Sequence, residues 1–235
     1  MNMLINAFED ALILIFSADS DLMEILLLSV KVSFAALAIA GIFAMPIGTV
    51  LAISQFKGRK LIVTFLNAMM GLPPVVVGLF VYLMLSRSGP LGVFELLYTP
   101  TAMIIAQVIL IVPIVASLTY QVIEELSKEY RELFASLKIS PLKAVFAYLW
   151  DARYSLLTTL LAGFGRAISE VGAVMIVGGN INHLTRIMTT AIALETSKGE
   201  LTLALSLGIV LLTTALLVNA IVMSIKTVAV EKGCV

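Results

Sequence analysis

The sequence predicts an all-α integral membrane protein, with five transmembrane helices and one long polar loop between the third and the fourth. Three observations lead there. Of the 235 residues, 60% are hydrophobic and only 13% charged, with a mean hydropathy of +1.09, against roughly 25% charged in an ordinary soluble domain. A chain of this length has too little interior to hide that much apolar surface from water, so its solvent must be lipid. Crossing the hydrocarbon layer takes about 20 residues, and apolar stretches of that order recur at about 24–54, 61–85, 101–123, 155–178 and 201–225. The interval 124–153 is the one long run that cannot sit in lipid, since it holds Glu124, Glu125, Glu129, Glu132 and Asp151 beside Lys128, Arg131, Lys138, Lys143 and Arg153. Residues 1–235 thus read as a single membrane domain.

Residues 1–21 lack the basic start of a cleaved signal peptide. Ile5, Phe8, Leu12 and Ile15 fall at helical spacing, which predicts a short helix lying in the interface. The first span carries Lys31 close to its outer end, where the ammonium can snorkel to the headgroups, pair with Glu24 or face a conduction path. The second span is interrupted by Gly71-Leu72-Pro73-Pro74. Two successive prolines remove two backbone donors and break the helix near mid-membrane. Such a break survives only where protein or a water-filled cavity satisfies the freed carbonyls. A turn-rich loop around Gly89-Pro90 leads to the third span.

In the polar insert, Ser127 is placed to cap a helix running through Lys138, and Ser140-Pro141 to start a second one. The corner between them offers Leu133, Phe134 and Leu137 to a partner's groove, and a mere linker could be far shorter. The fourth span contains Arg166 and Glu170, four apart on one helical face. A charge at mid-bilayer costs about 2.5–3.5 kcal/mol on insertion scales, so both must face inward, as a structural ion pair or as the lining of a path. Asn180 then opens a moderately polar connector, within which about 185–195 predicts a short helix at the outer surface. The lone histidine, His183, reads as an ordinary surface residue, and no metal site is expected.

Basic residues fix the orientation. Lys57, Arg59, Lys60, Lys128, Arg131, Lys138, Lys143, Arg153, Lys226 and Lys232 fall on one side, and only Arg87, Arg186 and Lys198 on the other. By the positive-inside rule the insert and the C-terminus are cytoplasmic and the N-terminus is outside. No G-x-x-x-x-G-K-[ST] phosphate cradle occurs, and no Ser/His/Asp or Cys/His set can be assembled around one histidine and one cysteine. If the chain transports anything uphill, the energy must come from another chain.

The insert resembles the cytoplasmic loop of type I ATP-binding-cassette importer permeases, whose pattern is E-A-A-x-x-x-G followed by nine residues and I-x-L-P. Glu132-Leu133-Phe134-Ala135-Ser136-Leu137-Lys138 stands at the first part and keeps only the glutamate; Tyr148-Leu149-Trp150-Asp151 stands at the second. The stretches Ala162–Ile181 (AGFGRAISEVGAVMIVGGNI) and Thr185–Gly199 (TRIMTTAIALETSKG) are similar to the tungstate-specific permeases of that superfamily. The resemblance implies a homodimer in a prokaryotic cytoplasmic membrane, two cytoplasmic ATPase subunits and an extracytoplasmic binding protein, with no nucleic acid. It implies no cofactor in this chain, ATP and Mg belonging to the partner ATPase. Glu132, Leu133, Phe134, Leu137, Lys138 and Ser140 would couple to that ATPase, and Arg166, Glu170 and Lys31 would line the path or hold it together. Asn180, Thr185, Arg186, Thr189 and Thr190 would form the outer gate or docking surface. Molybdate, vanadate or an amino acid is the alternative cargo, and a non-transporting scaffold that recruits a cytoplasmic protein is the more distant reading.

Overall fold

The computed structural model describes residues 20–231, together with Glu9, Asp10 and Ile13. The interfacial helix expected from Ile5, Phe8, Leu12 and Ile15 rests on residues outside that set, as do Lys232 and Cys234. The described residues form nine α-helices: α1 Ser20–Ile53, α2 Arg59–Met69, α3 Pro74–Leu85, α4 Pro100–Ser136, α5 Pro141–Asp151, α6 Arg153–Ile168, α7 Gly172–Gly178, α8 Met188–Lys198 and α9 Leu201–Glu231. Three of these, α1, α4 and α9, are long and apolar enough to cross a membrane alone; counting α2 with α3 and α6 with α7 as broken spans brings the number to five.

The break between α2 and α3 follows from the residues. Gly71 and Leu72 donate to Ala68 and Met69 in the tighter i−3 pattern, which closes α2. Pro73 is extended and Pro74 opens α3, where a missing N–H costs nothing. The fourth span departs from the single continuous helix expected over 155–178. It stops at Ile168 and restarts at Gly172; at the break Glu170 N–H turns back to the Ala167 carbonyl in an i−3 bond, and the Glu170 carbonyl accepts from the Thr189 hydroxyl.

The third span departs in the opposite sense. It runs on through the first half of the insert as one helix, α4, so Ser127 does not cap a new helix. With no glycine or proline between Pro113 and Ser136 nothing stops the ladder, and the buried Ser127 hydroxyl donates back to the Glu124 carbonyl at 2.9 Å. The corner falls where the sequence puts it. Ile139 N–H bonds the Phe134 carbonyl at 3.2 Å around Lys138, whose φ is 50°. Ser140 then precedes α5, with Pro141 in its first turn.

The chain divides into two compact units. One takes the chain up to Ala36 with Pro73–Gln107 and Gly165–Asn219; the other takes Leu37–Leu72, Val108–Phe164 and the chain from Ala220 on. In the first, Leu22, Met188, Ala191, Leu207 and Val210 form a core from α1, α8 and α9. In the second, Ala52, Ile123, Ala144, Tyr148, Ala152 and Leu156 pack the insert against the end of α1.

Candidate functional site

In the first unit the break in the fourth span is the most heavily braced stretch of backbone. The buried Gln107 amide of α4 donates to the Ala167 carbonyl at 3.1 Å, and the buried Thr189 hydroxyl of α8 donates to the Glu170 carbonyl at 2.8 Å. Both carbonyls stand at the interruption, where the i+4 ladder lapses; that of Ala167 also accepts from Glu170 N–H at 3.2 Å. The Glu170 carboxylate, 3% exposed, accepts from Arg166 Nη1 at 2.5 Å and from Ala173 N–H at 2.9 Å. It therefore neutralises a cation and caps α7 at once. Arg166 keeps 28% of its side chain exposed and is the accessible end of the pair.

The start of α7 lies against the start of α3, the half-helix that follows the other break. Glycine permits this approach: a Cβ on Gly78 would fall 2.7 Å from Ala173 Cα, and one on Gly172 would fall 2.8 Å from Val75 Cγ2. Two interrupted spans are thus interlocked at their half-helix starts, beside the Arg166–Glu170 ion pair.

The residues assigned to the outer gate divide into braces and surface. Thr185 is fully buried, donating to the Gly178 carbonyl and accepting from Ile181 N–H at 3.0 Å. Thr190, also buried, accepts from Ile187 N–H at 3.1 Å and starts α8. Arg186 bonds Asn182 at 2.9 Å, while the Asn180 Oδ1 and Arg186 Nε atoms are buried without a partner. Lys31 is exposed on α1 and does not pair with Glu24, which instead bonds His183 Nδ1 at 2.8 Å. Asp21 lies in the same cluster. The separation of 159 positions between Glu24 and His183 hid this contact from any local reading.

In the second unit the insert presents a mixed surface. Glu132, Lys138 and Ser140 are exposed, and Leu133 and Leu137 are 50% and 62% exposed. Phe134 departs from the reading that offers it to a partner. Its ring lies 4.9 Å from that of Tyr148 and 5.6 Å from that of Tyr130, inside the corner that it helps to fix. Asp151 beside the Tyr130 phenol, through a hydrogen bond and its charge, pushes that pKa up. Sequence reasoning counted Arg59 only as a topology charge. Here it donates to the Leu51 and Ala52 carbonyls at 2.7 and 3.1 Å, to Tyr120 at 3.0 Å and to Glu124 at 2.8 Å, tying the end of α1 to the base of the insert. A basic residue in the turn that follows a long helix is the signal that points to such a cap.

Interrupted spans, a braced interior ion pair and a helical insert with an exposed apolar corner are the parts of a permease worked by other proteins. The chain belongs to the binding-protein-dependent transport system inner membrane component family, whose model matches residues 44–229, and has the type I importer permease fold. It is 41% identical over 226 residues to a tungstate uptake system permease protein of Peptoclostridium acidaminophilum, covering 96% of this chain and 99% of that one. A tungstate uptake system permease protein of Campylobacter jejuni is 36% identical over 226 residues, covering 96% and 95%. A probable anion ABC transporter permease protein of Haloferax volcanii is 41% identical over 205 residues, covering 85% and 88%.

Proposed function

We propose that the chain is the permease subunit of an ATP-driven oxyanion importer whose cargo is tungstate. The observation that carries this is the similarity to tungstate uptake permeases from two organisms over 96% of the chain. The chain has no phosphate cradle of its own, so a separate cytoplasmic ATPase supplies the energy, an extracytoplasmic binding protein delivers the anion, and two copies of the chain enclose the path. The excess of basic residues on one side supports a cytoplasmic insert and C-terminus.

The mechanism is alternating access. The ATPase grips the corner at Glu132, Leu133, Leu137, Lys138 and Ser140, and its closure is passed along α4, which is insert and membrane span in one piece. Arg166 offers guanidinium hydrogen bonds to a passing dianion, and its pairing with Glu170 keeps that attraction weak enough for release. Selectivity resides mostly in the binding protein. The test is uptake into proteoliposomes holding the permease and its ATPase, with binding protein added outside. Tungstate should accumulate only with all three proteins and ATP, and molybdate, vanadate and amino acids should compete poorly. Accumulation without the ATPase, or none of tungstate at all, would overturn the proposal.

A further inference from the structure

In the second unit, a cavity of about 620 Å³ opens between the end of α1 and the two helices of the insert. We propose that it holds an anionic phospholipid, with the phosphate on Arg131 and the upper acyl chain along the apolar wall. This site lies behind the corner, on the inner side of Phe134, and it does not depend on which anion is carried.

The wall is built by Val50 and Ile53 of α1, Phe134 of α4 and Val145 of α5. Val50 is itself 44% exposed on a helix long enough to cross the bilayer, so the wall continues a surface that already faces hydrocarbon. The polar end is formed by Arg131, Gln55 and Tyr148. With the Gln55 amide turned so that its oxygen faces Arg131, that oxygen accepts from both Arg131 Nη atoms at 2.9 Å. A neutral amide aims the guanidinium and leaves its charge intact. No Asp or Glu lines the cavity, and among the described residues no carboxylate pairs with Arg131. Burial pushes the Tyr148 phenol pKa up while Arg131 pulls it down, so the pocket's neutral donor lies within reach of the cation's field.

A lone cation above an apolar trough, at the end of a membrane helix, matches a lipid with a negative headgroup. Guanidinium binds phosphate through paired N–H bonds, and basic pockets on the cytoplasmic side of membrane helices take anionic lipid heads. Lys57 and Lys60, which follow Gln55 within five residues, add attraction for the same surface. A free anion would make no use of the trough, and a zwitterionic lipid would make little use of the unneutralised charge.

The full chain in detergent, titrated with phosphatidylglycerol or phosphatidylcholine, tests this by native mass spectrometry and thermal midpoint. Phosphatidylglycerol should bind and raise the midpoint, and phosphatidylcholine should not. Arg131→Gln should weaken phosphatidylglycerol binding about fivefold, the value of one basic contact at a membrane surface. Val50→Trp, which fills the trough and keeps the charge, should also abolish the effect, whereas Lys57→Gln should leave most of it. Equal response in all variants would overturn the proposal. So would inorganic phosphate or tungstate that reproduces the shift without lipid, since that result assigns the pocket to a free anion.

Discussion

Lys138 sits with φ at 50°, a conformation in which a Cβ crowds the following carbonyl at a cost of about 1–2 kcal/mol. The loop pattern that the insert resembles has glycine at this very position, and the structure supplies the reason. Leu137 and Ile139 close a left-handed helix end on the carbonyls of Leu133 and Phe134, and glycine fits such an end without strain. Lys138→Gly is therefore expected to stabilise the chain by about 1 kcal/mol, read as a raised unfolding midpoint in detergent, while Lys138→Ala should give no gain. An unchanged or lowered midpoint for the glycine variant would count against this account of the corner. The His183–Glu24 contact makes a second prediction. The hydrogen bond and charge of Glu24, helped by Asp21 and opposed by burial and Arg186, raise the His183 pKa above its ordinary 6.5. A raised folded-state pKa means that the contact stabilises fully below the ordinary value and is lost as pH rises through the raised one. The midpoint difference between the wild type and His183→Gln should therefore be largest in acid and vanish in mild alkali. A difference that grew with pH would show that the neutral ring makes the contact.

Helices were legible in this chain wherever a local cause produced them. The Pro73-Pro74 break, the Ser140-Pro141 start and the long apolar helices α1 and α9 all follow from donors that are missing or apolar runs of fixed length. The junction of α4 with the insert was not legible, because Ser127 is equally suited to cap a helix or to bond backward inside one. Only the uninterrupted ladder decides between them. The interruption at Ser169–Val171 was hidden for another reason. Nothing in the sequence there breaks a helix outright, and the groups that brace the break, Gln107 on the Ala167 carbonyl and Thr189 on that of Glu170, are distant in sequence. The i,i+4 spacing pointed to Arg166 with Glu170, yet the carboxylate also caps α7, a task visible only once the helix has ended before it. Thr185 and Thr190 looked like a polar outer surface and are internal braces, since a short threonine beside a turn buries as readily as it faces water when backbone partners are at hand.

For the whole molecule, under the proposed function, the continuity of α4 would decide how work done on the insert reaches the membrane. A helix of 37 residues from Pro100 to Ser136 passes Pro113 without a break and is clamped at Glu124 by Arg59. A rigid rod of this kind transmits a displacement at Leu133 and Leu137 directly, whereas a hinged one absorbs it. Glu125 and Lys128 are exposed on this rod, between the span and the corner, so their side chains can be removed without disturbing the core. Each glycine in an exposed helix interior costs about 1 kcal/mol relative to alanine. The double variant Glu125→Gly with Lys128→Gly should thus soften the rod, and Glu125→Ala with Lys128→Ala should leave it stiff. In the reconstituted complex the glycine pair should keep the ATPase bound and hydrolysing while uptake per ATP falls severalfold, and the alanine pair should transport normally. Normal coupling in the glycine pair would mean that the stroke enters the membrane by another element, with α5 and the span that follows it as the remaining continuous route.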